Sequence, residues 1–178
     1  MNITVYCGAS LGKSDEYKRS AIELGLWIAN NNHTLVYGGG SIGIMGAIAD
    51  TVLSNGGKVI GVMPEFLVKR EISHSSLTKL HSVDTMYERK NKMLELGDCF
   101  IALPGGIGTL EEIIEAISLA RLGKNDKPCI FYNSDNYYNK LKEFIAYMVE
   151  SEFLSKEDYK LISFVNSVDE IEIIINND

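Results

Sequence analysis

Basic residues are in short supply: 17 Lys and Arg stand against 24 Asp and Glu, a formal charge of -7. Such a surface repels polyanions, and no local basic patch offsets it, so no nucleic-acid partner is expected. A small phosphorylated ligand needs only a local site. Cysteine is scarce as well. Cys7, Cys99 and Cys129 lie far apart, with no CxxC pair and no Cys/His cluster at metal-ligand spacing. The odd count suits buried thiols in a reducing compartment, and the spacing offers no metal site. His33, His74 and His81 are equally scattered. No run of 18 apolar residues occurs, and the first residues enter a strand pattern without a basic segment and cleavage site. The expectation is a cytoplasmic chain with no membrane partner.

What is present is ordinary for a folded domain: 178 residues, 46% hydrophobic and 23% charged. One domain spanning 1–178 is expected, burying about two thirds of its unfolded surface. Short apolar runs read as strands at Ile3–Cys7, Thr34–Tyr37, Lys58–Met63, Cys99–Leu103, Cys129–Tyr132 and Ile162–Val165. Between them, helical spacing covers Asp15–Asn30, Gly43–Asn55, Asp84 to Gly97, Ile107–Leu122, Tyr138–Glu150, a short piece at Ser155–Tyr159 and Val168–Ile175. From Pro64 to His81 the pattern is weak; a turn of helix at Glu65–Val68 and an extended Leu77–Val83 fit it best. Trp27 reads as packing, with a subunit contact as one form of it, rather than as a ligand platform, and the acidic C-terminus as a solvated face. Strands alternating with helices give an α/β fold: a Rossmann-like, doubly wound, mainly parallel sheet with helices on both faces. Right-handed crossovers bring every strand's carboxyl end to one edge, where such sheets bind ligands.

Three glycine-bearing loops follow strand ends, at Gly8, Gly38–Gly43 and Gly105–Gly108. The run Pro104-Gly-Gly-Ile-Gly-Thr109 passes from strand to helix, so its N–H groups and the helix dipole suit a phosphate. Thr109 adds a hydroxyl there, and as an N-cap it would sit at the helix start. Neither large loop is a Walker A motif or opens a dinucleotide fingerprint at the first strand, which disfavours ATP hydrolysis and hydride transfer.

Helical angles single out three charges. With Leu110 as origin, Ile113, Ile114 and Ile117 form the core stripe, and Glu111 and Glu115 turn toward water. Glu112 falls beside Thr109, Ala116 and Leu119, where a carboxylate can enter a site. On the helix from Asp84, Arg89 and Lys90 share the apolar arc with Met86, Met93, Leu94 and Leu96. Unpaired buried cations cost too much, so both must reach a carboxylate, a phosphate or the sheet edge.

Together these residues resemble the Lonely Guy family, the cytokinin riboside 5'-monophosphate phosphoribohydrolases, also described as possible lysine decarboxylases. The resemblance rests on Tyr6-Cys-Gly-Ala-Ser10, Val36-Tyr-Gly-Gly-Gly40 with Gly43-Ile-Met-Gly46, Gly57-Lys-Val-Ile-Gly61, Met86-Tyr-Glu-Arg-Lys90 and Pro104-Gly-Gly-Ile-Gly-Thr-Leu-Glu-Glu112. It implies hydrolysis of the N-glycosidic bond of an adenosine 5'-monophosphate, often N6-prenylated, to free base and ribose 5-phosphate. It implies catalytic roles for Arg89 and Glu112 and a phosphate loop of Gly105, Gly106, Ile107, Gly108 and Thr109. Gly38, Gly39 and Gly40 line the same site, with Ser10, Met86 and Lys90 completing the candidate binding set. No metal or organic cofactor is implied, and the assembly is a homodimer or larger. Two departures stand out: Ala9 where Ser is frequent, and Ser118-Leu-Ala-Arg121 in place of a Thr-Trp-Ala-Gln stretch, on the expected adenine side.

The reaction develops positive charge at the ribose and negative charge on the purine, as in glycoside hydrolysis. Glu112 suits the cation and the attacking water; Arg89 suits the phosphate and keeps Glu112 ionised. No acid for the departing purine is evident. An AMP nucleosidase without prenyl preference and a non-catalytic nucleotide-binding module are the rival readings. Lysine decarboxylation is disfavoured because no Schiff-base lysine with a pyridine-nitrogen partner is recognisable.

Overall fold

The computed structural model describes residues 1–68 and 73–176. The central part of the weakly patterned stretch, 69–72, and the last two residues of the acidic C-terminus lie outside the described residues. Seven strands form one sheet: β1 (Asn2–Tyr6), β2 (Thr34–Tyr37), β3 (Lys58–Pro64), β4 (Lys79–Val83), β5 (Cys99–Ala102), β6 (Cys129–Tyr132) and β7 (Ile162–Val165). Their order is β4-β3-β2-β1-β5-β6-β7, and every pairing is parallel. The chain winds outward from β1 to one edge, returns beside β1 as β5, and winds to the other edge. The direction therefore reverses between β1 and β5.

Alternation along the strands divides the core in two. Ile3, Val5, Leu35, Tyr37, Cys99, Ile101, Ile130 and Tyr132 face one side. There they meet α1 (Asp15–Asn30), α2 (Gly43–Ser54) and α8 (Val168–Asn176). Tyr6, Val36, Phe100, Ala102, Cys129 and Phe131 face the other. Their partners are α4 (Met86–Leu96), α5 (Ile107–Arg121) and α6 (Asn139–Glu150). Strands buried on both faces carry no polar alternation, which is why they read as plain apolar runs. The short α3 (Glu65–Val68) and α7 (Lys156–Tyr159) fill connections.

Several local details differ from the sequence expectation. Pro64 does not close β3 from outside; it pairs with Val83 as the last strand residue. The helix expected from Asp84 begins at Met86, because Thr85 is its N-cap. The Thr85 hydroxyl accepts from Glu88 N–H at 3.1 Å, while the Glu88 carboxylate accepts from Asp84 N–H at 2.9 Å. A 3-10 turn at Ser134–Asn136, with φ of +52° at Asp135, precedes α6 and had no clear periodic signal. Trp27 is buried in the core, its Nε1 donating to Glu172 at 3.4 Å, so packing is its role within the chain.

Candidate active site

The loops after β1, β2 and β5 meet where the strand order reverses, and their contacts are backbone on backbone. Gly8 N–H donates to the Pro104 carbonyl at 3.2 Å, and a Cβ on Gly8 would touch the Gly105 Cα at 3.3 Å. Gly43, with φ of +64°, presses on the β1 loop: its missing Cβ would fall within 3.0 Å of the Ala9 and Ser10 backbone. Glycine alone meets the left-handed φ and the close approach together. The β1 loop is thereby wedged between the other two.

The Pro104–Thr109 turn opens outward from this wedge. The first intrahelical bond of α5 runs from Leu110 N–H to the Gly106 carbonyl at 3.1 Å. The N–H groups of Ile107, Gly108 and Thr109 therefore precede the helix's own ladder, at its positive end. Cβ atoms on Gly106 or Gly108 would meet nothing within 4 Å, and both residues are exposed along with Ile107. That open face suits an anion. Thr109 does not cap the helix, as Gly106 is the N-cap; helix geometry begins too early for Thr109 to serve. Its buried hydroxyl instead packs against Gly105, whose missing Cβ would lie within 3.0 Å of it. Ser10 and Gly105 line an adjoining cavity of about 250 Å³ with Leu11, Tyr17, Ile44 and Tyr137.

Arg89 and Glu112 meet across α4 and α5. Arg89 Nη1 donates to Glu112 Oε1 at 2.8 Å, and Arg89 Nε donates to the Val62 carbonyl at 3.1 Å. Their side chains are only 12% and 9% exposed, so this is a largely desolvated pair. Burial pushes the Glu112 carboxyl above the ordinary carboxylate range, and the Arg89 charge offsets part of that rise. Tyr6 and Cys7, at the end of β1, have their own pKa values raised by burial first and by the Glu112 charge next. Glu112 is thus within electrostatic reach of the end of β1, and it lies on α5 three residues beyond Thr109.

The other candidates separate into neighbours and bystanders. Lys90 leaves Arg89 and reaches Glu111 at 2.8 Å and Glu115 at 3.1 Å. Its charge is matched by two carboxylates, which makes it a clasp between α4 and α5 and leaves little for a phosphate. Met86 is partly exposed at the first turn of α4. Gly38, Gly39 and Gly40 are buried. Gly40 bridges Ser73, and the Gly39 carbonyl accepts from His74 N–H at 3.1 Å, so the chain covers this loop itself. The two glycine loops looked equivalent in sequence; one is open and the other roofed.

The Ser118–Arg121 stretch shares α5 with Glu112 and forms its last turn. The 1.5 Å rise per residue carries Leu119 about 10 Å along α5 from Glu112, toward the opposite sheet edge. There Leu119 lines a cavity of about 430 Å³ with Phe100 and Lys127, and Arg121 pairs with Asp158 at 3.1 Å. Within one chain this stretch is away from the Arg89–Glu112 pair. Sequence reasoning also missed the Val62 carbonyl, because a backbone acceptor has no residue signature. It missed Tyr137 too, whose hydroxyl donates to the Gly105 carbonyl. The placement of β6 next to β5 was the signal that could have found it.

Residues 45–174 match the family model described as possible lysine decarboxylase. The chain is 46% identical over 169 residues to a cytokinin riboside 5'-monophosphate phosphoribohydrolase of Arabidopsis thaliana, covering 95% of this chain and 79% of that one. A probable enzyme of the same description from Oryza sativa subsp. japonica is 48% identical over 153 residues, 86% of this chain; the match spans 61% of the rice protein's length. A relative so described from Rhodococcoides fascians is 43% identical over 155 residues, 86% of this chain and 78% of that one. Among solved structures, the molybdenum cofactor carrier protein of Chlamydomonas reinhardtii superposes with a TM-score of 0.74 at 19% identity, over 99% of this chain and 95% of that one. That likeness is one of fold.

Proposed function

The chain belongs to the Lonely Guy family of cytokinin riboside 5'-monophosphate phosphoribohydrolases, and from that premise we propose that it hydrolyses the N-glycosidic bond of adenosine 5'-monophosphates, N6-substituted or plain. The products are the free base and ribose 5-phosphate. The observation that carries the reading is the buried Arg89–Glu112 pair, 2.8 Å apart, beside the open Pro104–Thr109 turn at the β1/β5 reversal. That combination supplies an anion seat and a carboxylate in one place.

In this reading the N–H groups of Ile107, Gly108 and Thr109 hold the 5'-phosphate, turning phosphate binding into placement of the sugar. As the C1'–N9 bond breaks, its electron pair leaves with the purine and positive charge grows on the ribose. Glu112, ionised through its pairing with Arg89, stabilises that charge and orients the attacking water. Water adds its oxygen to C1', and the proton balance is completed on the departing base. Arg89 has free guanidinium valence beyond Glu112 and Val62 with which to approach the phosphate.

We place the protein in the cytoplasm as a homodimer acting on a small nucleotide, with nucleic acid excluded by its net charge of -7. Buried Cys7, Cys99 and Cys129 suit that compartment, and the exposed Tyr87 and Ile107 near the site suit a subunit contact. No helix among the described residues is long and apolar enough to cross a membrane. The deciding assay offers purified protein AMP, isopentenyl-AMP and their unphosphorylated nucleosides. Release of base with ribose 5-phosphate, from the monophosphates alone, is the expected result. Binding without any product would leave a nucleotide-binding module instead, and the ratio of the two monophosphate rates sets the base preference.

A further inference from the structure

Gly38 and Gly39 stand side by side after β2, yet the structure gives them different reasons to lack a side chain. Gly39 has φ of +84°, a conformation that disfavours any Cβ. Gly38 is not in the left-handed region, so its backbone would accept alanine. What forbids a side chain there is one group: a Cβ on Gly38 would come within 3.0 Å of Arg89 Nη2. Its next neighbour, the Met45 Sδ at 3.2 Å, belongs to a flexible side chain that can yield. Arg89 is not free to yield in the same way. Its Nε is tied to the Val62 carbonyl and its Nη1 to Glu112, so two sides of the guanidinium plane are already fixed.

From this geometry we infer that Gly38 is a positioning residue for Arg89: the bare backbone at the end of β2 forms the seat that lets the guanidinium reach the β3 carbonyl and Glu112 at once. The inference rests on the proposed hydrolysis only for its catalytic consequence. The seat has three parts, the Gly38 backbone and the Val62 carbonyl from neighbouring strands of the sheet and the Glu112 carboxylate from α5. Each restrains a different edge of one planar cation. A methyl group at Gly38 lifts that plane, and both of the other bonds lengthen together, since a rigid fork cannot tilt at one end alone. Gly38 therefore acts through Arg89 and needs no contact with the nucleotide.

Gly38→Ala, Arg89→Ala and the double variant test this. Coupling is the readout, because a residue serving only the fold would lose the same amount in both backgrounds. In the presence of Arg89, Gly38→Ala lowers kcat for AMP by on the order of 100-fold, the usual consequence of displacing a catalytic group by about 1 Å. In the Arg89→Ala background the same change costs little more. Urea unfolding follows the same logic: Gly38→Ala costs less stability in the Arg89→Ala background than in wild type, since removing the guanidinium clears space for the methyl. Carboxyl-carbon NMR of Glu112 gives a third reading, with its titration moved upward in Gly38→Ala relative to wild type. Equal losses in both backgrounds, or an unmoved Glu112 titration, overturn the inference. If Gly38→Ala does not fold, folding regained in Gly38→Ala/Arg89→Ala supports it, and failure of the double variant where Arg89→Ala alone folds overturns it. Should the wild-type protein release no base from any monophosphate, the proposed hydrolysis fails on its own, while the unfolding and NMR comparisons still decide the seat.

Discussion

Glu112 is pulled in two directions, by burial toward the neutral acid and by Arg89 toward the carboxylate, with burial the larger. The consequences for stability and activity have opposite signs. Because its folded-state pKa lies above the unfolded one, the native protein binds a proton more readily, and the Glu112 contribution to stability increases as pH falls through the folded value. Activity needs the carboxylate and declines through the same interval. Comparing pH–rate profiles and denaturation midpoints of wild type with Glu112→Gln isolates this group: the acid limb disappears with the turnover, and the stability difference between the two changes as pH falls through the folded pKa and flattens below the unfolded one. Glu112→Gln should lower kcat by about 10²–10³-fold, the range for losing one preorganised electrostatic group, with AMP affinity largely kept. Wild-type turnover in that variant refutes the role. Arg89→Ala should weaken affinity for both AMP and ribose 5-phosphate as well as turnover. It should also cost about 3–5 kcal/mol of stability unless Glu112 takes up a proton, because it strands a buried charge. Isothermal titration and urea unfolding of the same variant separate the two effects; unchanged affinity removes Arg89 from the phosphate.

At the level of elements, the site is an arrangement of loops held by glycines and of helices held by charges. Gly43→Ala tests the first. It combines a φ of +64° with a Cβ inside the Ala9–Ser10 backbone, so it should cost at least about 2 kcal/mol and pry the start of α2 from the β1 loop. A urea midpoint equal to wild type refutes the wedge. Lys90→Met tests the second. Its pairing with Glu111 and Glu115 joins α4 to α5, partly exposed to water, so its loss should cost roughly 1 kcal/mol or less. Its effect on ribose 5-phosphate affinity should be far smaller than that of Arg89→Ala. Comparable losses would return Lys90 to the phosphate. The two adjacent cations illustrate how far helical angles reach. The apolar arc on α4 was enough to require a partner for each, and both have carboxylate partners, but periodicity could not say that one pair is buried and the other a peripheral clasp.

For the whole molecule, the reversal of strand order between β1 and β5 decides where chemistry can occur, because it brings three loops together and leaves the Pro104–Thr109 turn open. Exposed apolar side chains at Tyr87 (68%) and Ile107 (83%) flank that face. Sedimentation equilibrium should accordingly give about twice the 19.7 kDa chain mass, with Tyr87→Glu/Ile107→Glu shifting it toward the monomer; a wild-type monomer at micromolar concentration refutes the dimer. By itself the sequence determined the α/β class and nearly every element, since short continuous apolar runs and stripes of period 3.6 are local consequences of which faces must leave water. It also determined the open Pro104–Thr109 turn, whose glycines and following helix are contiguous. Tertiary structure alone decided that Arg89 meets Glu112 and that the Val62 carbonyl and the Gly38 backbone hold Arg89 there. Those facts depend on which elements the sheet order makes neighbours, and on backbone groups that every residue carries alike.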